Sequence, residues 1–198
     1  MTQPTHESLR GHFLISDPFM SDPNFERTIV VLCEHTPEGA FGLVLNRSAD
    51  MNLDGIFGGE HDFTPAFMAM AQQHALYVGG PVEHNTLHYL YRPVAGAPVP
   101  DSTRLTDGLF WGGDFASVRH LIATDELPPS AIRLFAGYAG WGAGQLEREL
   151  AERSWITTPL RTEFVFRSAN EALWRDVLRD MGGRYRSLAN YPRDPRLN

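Results

Sequence analysis

Apolar positions in this chain fall mostly into short runs, either alternating with polar residues or uninterrupted for four or five positions, which is a strand pattern. His12 to Ser16, after Gly11 and before Asp17-Pro18, predicts a first strand. Thr28 to His35 is the strongest one. Ile29, Val31 and Cys33 fall on one face and Val30 and Leu32 on the other, so it should be buried on both sides. Pro37 and Gly39 then lead into Phe41 to Asn46, predicting an antiparallel hairpin. Ala75 to Val78, Thr86 to Tyr91, Leu109 to Trp111, Ile132 to Tyr138, Trp155 to Thr157 and Glu163 to Phe166 read as further strands.

Helical spacing is rarer. Asp22-Pro23 suggests one capped turn through Arg27, and Pro65 to Gln73 a short helix. Asp114 is placed to cap a helix to about Ala123, with Phe115, Val118, Leu121 and Ile122 on its inner stripe. A helix from Gln145 to Arg153 buries Leu146 and Leu150, and the charges of Glu147, Arg148, Glu149, Glu152 and Arg153 read as its solvated face. Ser168 to Glu171 is a capping box opening a last helix, which carries Leu173, Trp174, Val177, Leu178 and Met181 and ends at Gly182-Gly183. Strands cluster without a strand-helix-strand rhythm, so the fold class is α+β, one domain with a mixed, mainly antiparallel sheet. We divide the chain into a flexible N-terminus (1–9), the domain (10–182) and an Arg/Pro-rich tail expected to be flexible (183–198).

Composition narrows the chemistry. The 198 residues contain 17 basic ones, all arginine, so amine nucleophiles, Schiff bases and the P-loop lysine are excluded. The net charge is −7; the last sixteen residues carry Arg184, Arg186, Arg193 and Arg196 against Asp194, a net +3, which leaves −10 for the body. An acidic body is a poor phosphate grip, so nucleic acid is not an expected partner outside that tail. A lone Cys33 suits a reducing compartment, and neither a signal peptide nor a membrane span is legible, so a cytoplasmic protein is expected.

Cys33 and His35 should point the same way on an extended strand, about 6.6 Å apart, too far for an assured hydrogen bond, so Cys33 reads as core and Glu34 and His35 as the better site candidates. His84 and His88 have helical metal spacing, but the surrounding strand pattern puts them about 13 Å apart. No metal and no cofactor is implied. The segment Gly137 to Gln145, between a strand and a helix, could hold an anion or be a tight bend; the spacing is wrong for a dinucleotide fingerprint. Gly79-Gly80-Pro81 and Gly112-Gly113-Asp114 also follow strands, and these three segments could converge on one concave surface. Asp22 and Arg27 could form a local cap and ion pair, or orient the arginine toward an anionic ligand.

Taken in order, His12 to Ile15, Asp22 to Thr28, Cys33-Glu34-His35, Gly39 to Asn46, Gly79-Gly80-Pro81 and Gly137 to Glu147 resemble the AlgH/YqgE family of uncharacterised bacterial proteins. The resemblance implies an α+β fold whose bifurcated sheet curls into a partial barrel. It implies no mechanism; one branch is labelled a transcriptional regulator. The leading expectation is a non-enzymatic protein that binds a small ligand or protein partner through the shared motifs. Its candidate residues are His12, Asp22, Arg27, Glu34, His35, Asn46, Gly79, Gly80, Gly140, Trp141, Gly142, Gln145 and Glu147. The alternatives are a nucleotide- or anion-binding enzyme using residues 137–145, with His35 or Glu147 as acid-base groups, and a DNA-associated regulator.

Overall fold

A strand that is apolar on both faces must lie inside a sheet with something packed on each side, and the Val30 strand does. The computed structural model describes residues 7–49, 65, 68, 69, 72, 76–94, 97–167 and 171–192. Its strands are β1 (His12–Ser16), β2 (Ile29–Thr36), β3 (Gly39–Val44), β4 (Tyr77–Val78), β5 (Val82–Tyr91), β6 (Thr103–Thr106), β7 (Leu109–Trp111), β8 (Ile132–Gly142) and β9 (Trp155–Pro159). The helices are α1 (Phe115–Ala123), α2 (Gln145–Ala151), α3 (Thr162–Val165), α4 (Glu171–Met181) and α5 (Gly183–Leu188).

The strand order is β6-β7-β5-β8-β3-β2-β1-β9. Among the described residues all strand pairings are antiparallel except β4 against β8. The architecture is α+β, with a forked and unclosed sheet. The fork is β8: β5 pairs with one edge, while the other takes β4 at Phe135 and Ala136 and then β3 from Ala139 to Gly142. On one face Phe13, Ile15, Ile29, Val31 and Leu43 pack against Trp174, Val177 and Leu178 of α4. On the other, Leu14, Val30, Leu32 and Val44 pack with Trp141, Leu146 and Trp155. A third cluster joins Tyr89, Tyr91, Ile132 and Leu134 to Val118 and Ile122 of α1. Asp114 caps α1 by accepting the Ser117 N–H at 2.8 Å.

Several expectations are corrected. Glu163 to Phe166 is not a strand: Thr162–Val165 is a single helical turn that buries Phe164 and Val165 together, which an alternating strand would not do. The helix at Gln145 stops at Ala151, because Arg153 adopts a φ of 64°. Asp22 accepts the Asn24 N–H, but residues 23–27 form turns rather than a helix. Most of Pro65 to Gln73, and the capping box at 168–170, lie outside the described residues. At the N-terminus, Ser8 and Leu9 are tied to His35 through the Ser8 hydroxyl and the Leu9 N–H, both at 2.9 Å.

The tail assignment also changes. Gly182, at φ 70°, ends α4, but a second helix starts at once. Tyr185 and Leu188 of α5 pack on the main core, and Ala189 is fully buried. Tyr191 offers its carbonyl to Arg27 at 2.7 Å. Arginine, proline and asparagine content suggests a loose end; the apolar positions 185, 188 and 189 are what attach it. Deleting everything after Gly182 should therefore cost about 2 kcal/mol, from the apolar surface uncovered. Chemical denaturation of the truncated and full chains checks this.

Candidate functional site

The motif residues gather at the end of the sheet where β2, β3 and β8 meet α2. A β-bulge sits between Leu32 and Glu34, which pair with consecutive residues, Gly42 and Phe41, of β3. The extra residue is Cys33, and the shift of one position reverses the facing of the residues after it. Cys33 stays with the α4-side core, whereas His35, opposite Ala40, turns to the face of α2. The expectation that the two side chains point the same way is thus overturned. Burial, with the charge of Glu34 beside it, raises the Cys33 pKa well above its ordinary value, so it remains a thiol. Glu34 itself is exposed.

His35 is buried and both ring nitrogens are engaged. Nδ1 accepts the Leu9 N–H, so the proton must sit on Nε2, which donates to Glu147 Oε1 at 3.0 Å. A histidine held in this way has no nitrogen left for a substrate proton. Glu147 is therefore not merely part of a solvated helix face. Neither is Glu149: its Oε2 accepts the indole N–H of Trp141 at 2.9 Å and of Trp155 at 2.8 Å, and its Oε1 accepts from Gln145 Nε2 at 2.9 Å. Gln145 also accepts the Gly142 N–H at 3.1 Å. Phe25 stacks on Trp141 and meets Trp155 edge-on. Sequence reasoning missed Glu149. Its signal was present, a carboxylate one helical turn after Gln145 on the helix that packs on both tryptophans.

The glycine segment is not a loop. Gly140, Trp141 and Gly142 are strand residues opposite Phe41, Ala40 and Gly39, so their backbone groups belong to a ladder rather than to an anion cradle. Gly144 supplies the φ of 68° that starts the seven-residue α2. Gly79 and Gly80 meet Gly137 and Tyr138, as the convergence idea required, but through backbone packing. Gly80 lines a recess of about 80 Å³ with Asn24, Arg47 and His84, whereas Gly112 and Gly113 line a different cavity. The three segments do not share one of these pockets.

Arg27 and Asn46 are spent on the fold. Asn46 accepts the Ile29 N–H and donates to the Arg27 carbonyl, at 2.9 and 2.8 Å. Arg27, buried at a φ of 51°, lies over the Trp174 ring and reaches the Tyr191 carbonyl. His12 is half-buried opposite Pro159, with Nδ1 unpartnered among the described residues.

Open space lies elsewhere. A cavity of about 410 Å³ is lined by Asn85, Thr86, Leu87, His88, Tyr89, Trp111, Gly112, Gly113 and Phe115. It exists because β5 bulges: Val82 pairs with Tyr138 but Leu87 with Ala136, so three extra residues loop out, with Glu83 at φ 47°. Thr86 Oγ1 gives its one proton to the Glu83 carbonyl at 2.8 Å, so its 3.0 Å contact with His88 must be a bond donated by Nε2. Nδ1 of His88 is left as an acceptor without a partner among the described residues. Burial lowers the His88 pKa, keeping the ring neutral near pH 7. Among the described residues no group of three or more His, Cys, Asp or Glu side chains could hold a metal ion.

Residues 13–186 match the profile of the AlgH-like family. The chain is 41% identical over 189 residues to a "UPF0301 protein" of Cytophaga hutchinsonii, covering 96% of this chain and 98% of that protein. It is 37% identical over 188 residues to a namesake from Chlorobium limicola, covering 95% of each. Among solved structures, the solution structure of the AlgH protein from Pseudomonas aeruginosa superposes with a TM-score of 0.71 at 31% identity, over 97% of this chain and 98% of that one. The crystal structure of protein DIP2367 from Corynebacterium diphtheriae gives 0.69 at 24% identity, over 96% and 95%, and supports the fold alone. With a forked sheet, motifs in the expected order and matches along nearly the whole length, this chain belongs to the AlgH-like family.

Proposed function

We propose that this protein binds a ligand without turning it over, and that the ligand sits in the cavity under the β5 bulge. The observation that carries this reading is a division of labour. The shared polar side chains His35, Glu147, Trp141, Gln145, Arg27 and Asn46 are occupied with one another, with Glu149 or with backbone, whereas His88, whose Nδ1 has no partner among the described residues, lines a cavity of ligand size. Trp111, Tyr89 and Phe115 supply apolar walls. A neutral, flat heterocycle carrying an N–H donor suits that combination of aromatic surface and a single acceptor. The lone thiol and the proposed lack of turnover are consistent with a cytoplasmic binding or regulatory role.

Thermal-shift screening tests this with adenine, uracil and indole beside nucleotides and phosphorylated metabolites. A ligand present at a hundred times its Kd should raise the Tm by about 5–10 °C. The shift should vanish in Trp111→Ala and weaken in His88→Phe, which lacks the acceptor. Stabilisation by the phosphorylated compounds alone, indifferent to both substitutions, would defeat the assignment.

A further inference from the structure

The outer strand at the other end of the sheet, β9, is paired among the described residues on one side only, with β1. Its bonding phase follows from two fixed points: Asp17 N–H to the Ser154 carbonyl at 2.9 Å, and Leu160 N–H to the Gly11 carbonyl at 3.0 Å. Antiparallel alternation then gives Ile156 and Thr158 to β1, and turns the N–H and C=O of Trp155 and Thr157 outward. That edge is the floor of a groove of about 520 Å³. One wall is Leu150 at the end of α2 and Arg153 just beyond it; the other is α5, with Arg184, Tyr185 and Leu188. The walls belong to opposite faces of the sheet, since Leu150 packs with the Trp141 cluster and Tyr185 and Leu188 with the Trp174 cluster.

We propose that this groove receives an extended acidic peptide segment, which adds to β9 as a further strand. Three observations select that occupant. The floor offers main-chain donors and acceptors in strand phase, so the ligand must present a backbone rather than a helix face. Walls rise on both sides of the edge, so a second folded copy would bring its own α2 and α5 against them, whereas a single extended chain fits between. Each wall carries an exposed arginine, with Asp17 the one acidic residue among the described lining residues, and Asp17 already accepts the Phe19 N–H. Side chains of an added strand alternate in direction, so neighbouring acidic residues would face Arg153 on one side and Arg184 on the other. The groove is separate from the β5 cavity, and this inference stands whether or not that cavity binds a heterocycle.

The test uses the full chain and a labelled, end-capped Thr-Val-Glu-Glu-Val-Thr peptide, with its Lys-for-Glu counterpart, read by fluorescence anisotropy and by amide exchange. The acidic peptide should bind, slow exchange at Thr157 and lose affinity with salt; the lysine peptide should not bind. The double variant Arg153→Glu with Arg184→Glu, at exposed positions, should weaken binding by about tenfold or more. Thr157→Pro removes an outward N–H without touching the β1 ladder, which an edge strand tolerates, and should abolish binding. Should that variant fail to fold, the arginine pair still decides. Equal binding of the lysine peptide, no binding of either, protection on β5 instead of β9, or peptide-free dimerisation that protects Thr157 would each overturn the proposal.

Discussion

Replacing Glu149 with alanine should lower the Tm by about 6–12 °C, more than any other single charged side chain of α2. The carboxylate accepts two indole N–H groups and an amide N–H, and Trp141 and Trp155 are only 5% and 4% exposed. Truncation leaves both nearly buried indoles without an acceptor at a half-buried position. An orphaned buried donor costs about 1–3 kcal/mol, so the pair costs about 3 kcal/mol, at about 2–4 °C per kcal/mol for a chain of this size. Glu149→Gln keeps one oxygen for the indoles and loses the charge, so it should fall about midway. Glu152→Ala, at the exposed C-cap position of the same helix, should leave the Tm within about 1 °C. Scanning calorimetry of the three variants checks the order, and near-ultraviolet circular dichroism should report the loosened tryptophans only in the first two. Equal melting of Glu149→Ala and Glu152→Ala would mean that the indole contacts contribute nothing.

How the sequence could reveal part of this and not the rest is clearest at β2. Its two-sided apolar run located an inner strand, because burial on both faces leaves a pattern in the residue types themselves. The bulge at Cys33 leaves none, since one extra residue in a strand changes the direction of its successors without changing their identity. His35 was therefore identified as notable, and its partner Glu147 was named separately, but the contact between them was not legible across 112 positions. The glycine segment failed for a related reason. Glycine permits a loop or close packing, and only the neighbouring chain decides which; here β3 lies directly alongside. The β5 cavity was also hidden, because it depends on a three-residue bulge and on where the short β7 stops. Helices capped by side chains, such as that after Asp114, were easier because the signal is local.

The same logic separates glycines that the fold needs from glycines a ligand would need, and it yields the largest expected effect. A Cβ on Gly79 would lie 2.2 Å from the Gly137 carbonyl oxygen and 3.1 Å from Leu43 Cδ2. Neither side can yield cheaply. Gly79 donates to the Ala136 carbonyl at 2.8 Å and accepts the Val44 N–H at 2.7 Å, so it stitches β3 to β8 at the fork of the sheet. Gly79→Ala must push these backbones apart by about an ångström and stretch both bonds, at a cost of about 4 kcal/mol or a Tm loss of about 8–16 °C. Gly142→Ala is the matched control. Its new methyl would find Gln145 Oε1 at 4.0 Å and no positive φ to resist it, so stability should change by less than about 0.5 kcal/mol. If the motif glycines instead formed an anion cradle, Gly142→Ala would be the variant that loses function and Gly79→Ala would melt normally. Urea denaturation of the two variants side by side distinguishes these outcomes, because the packing account requires them to differ by nearly the full 4 kcal/mol or so.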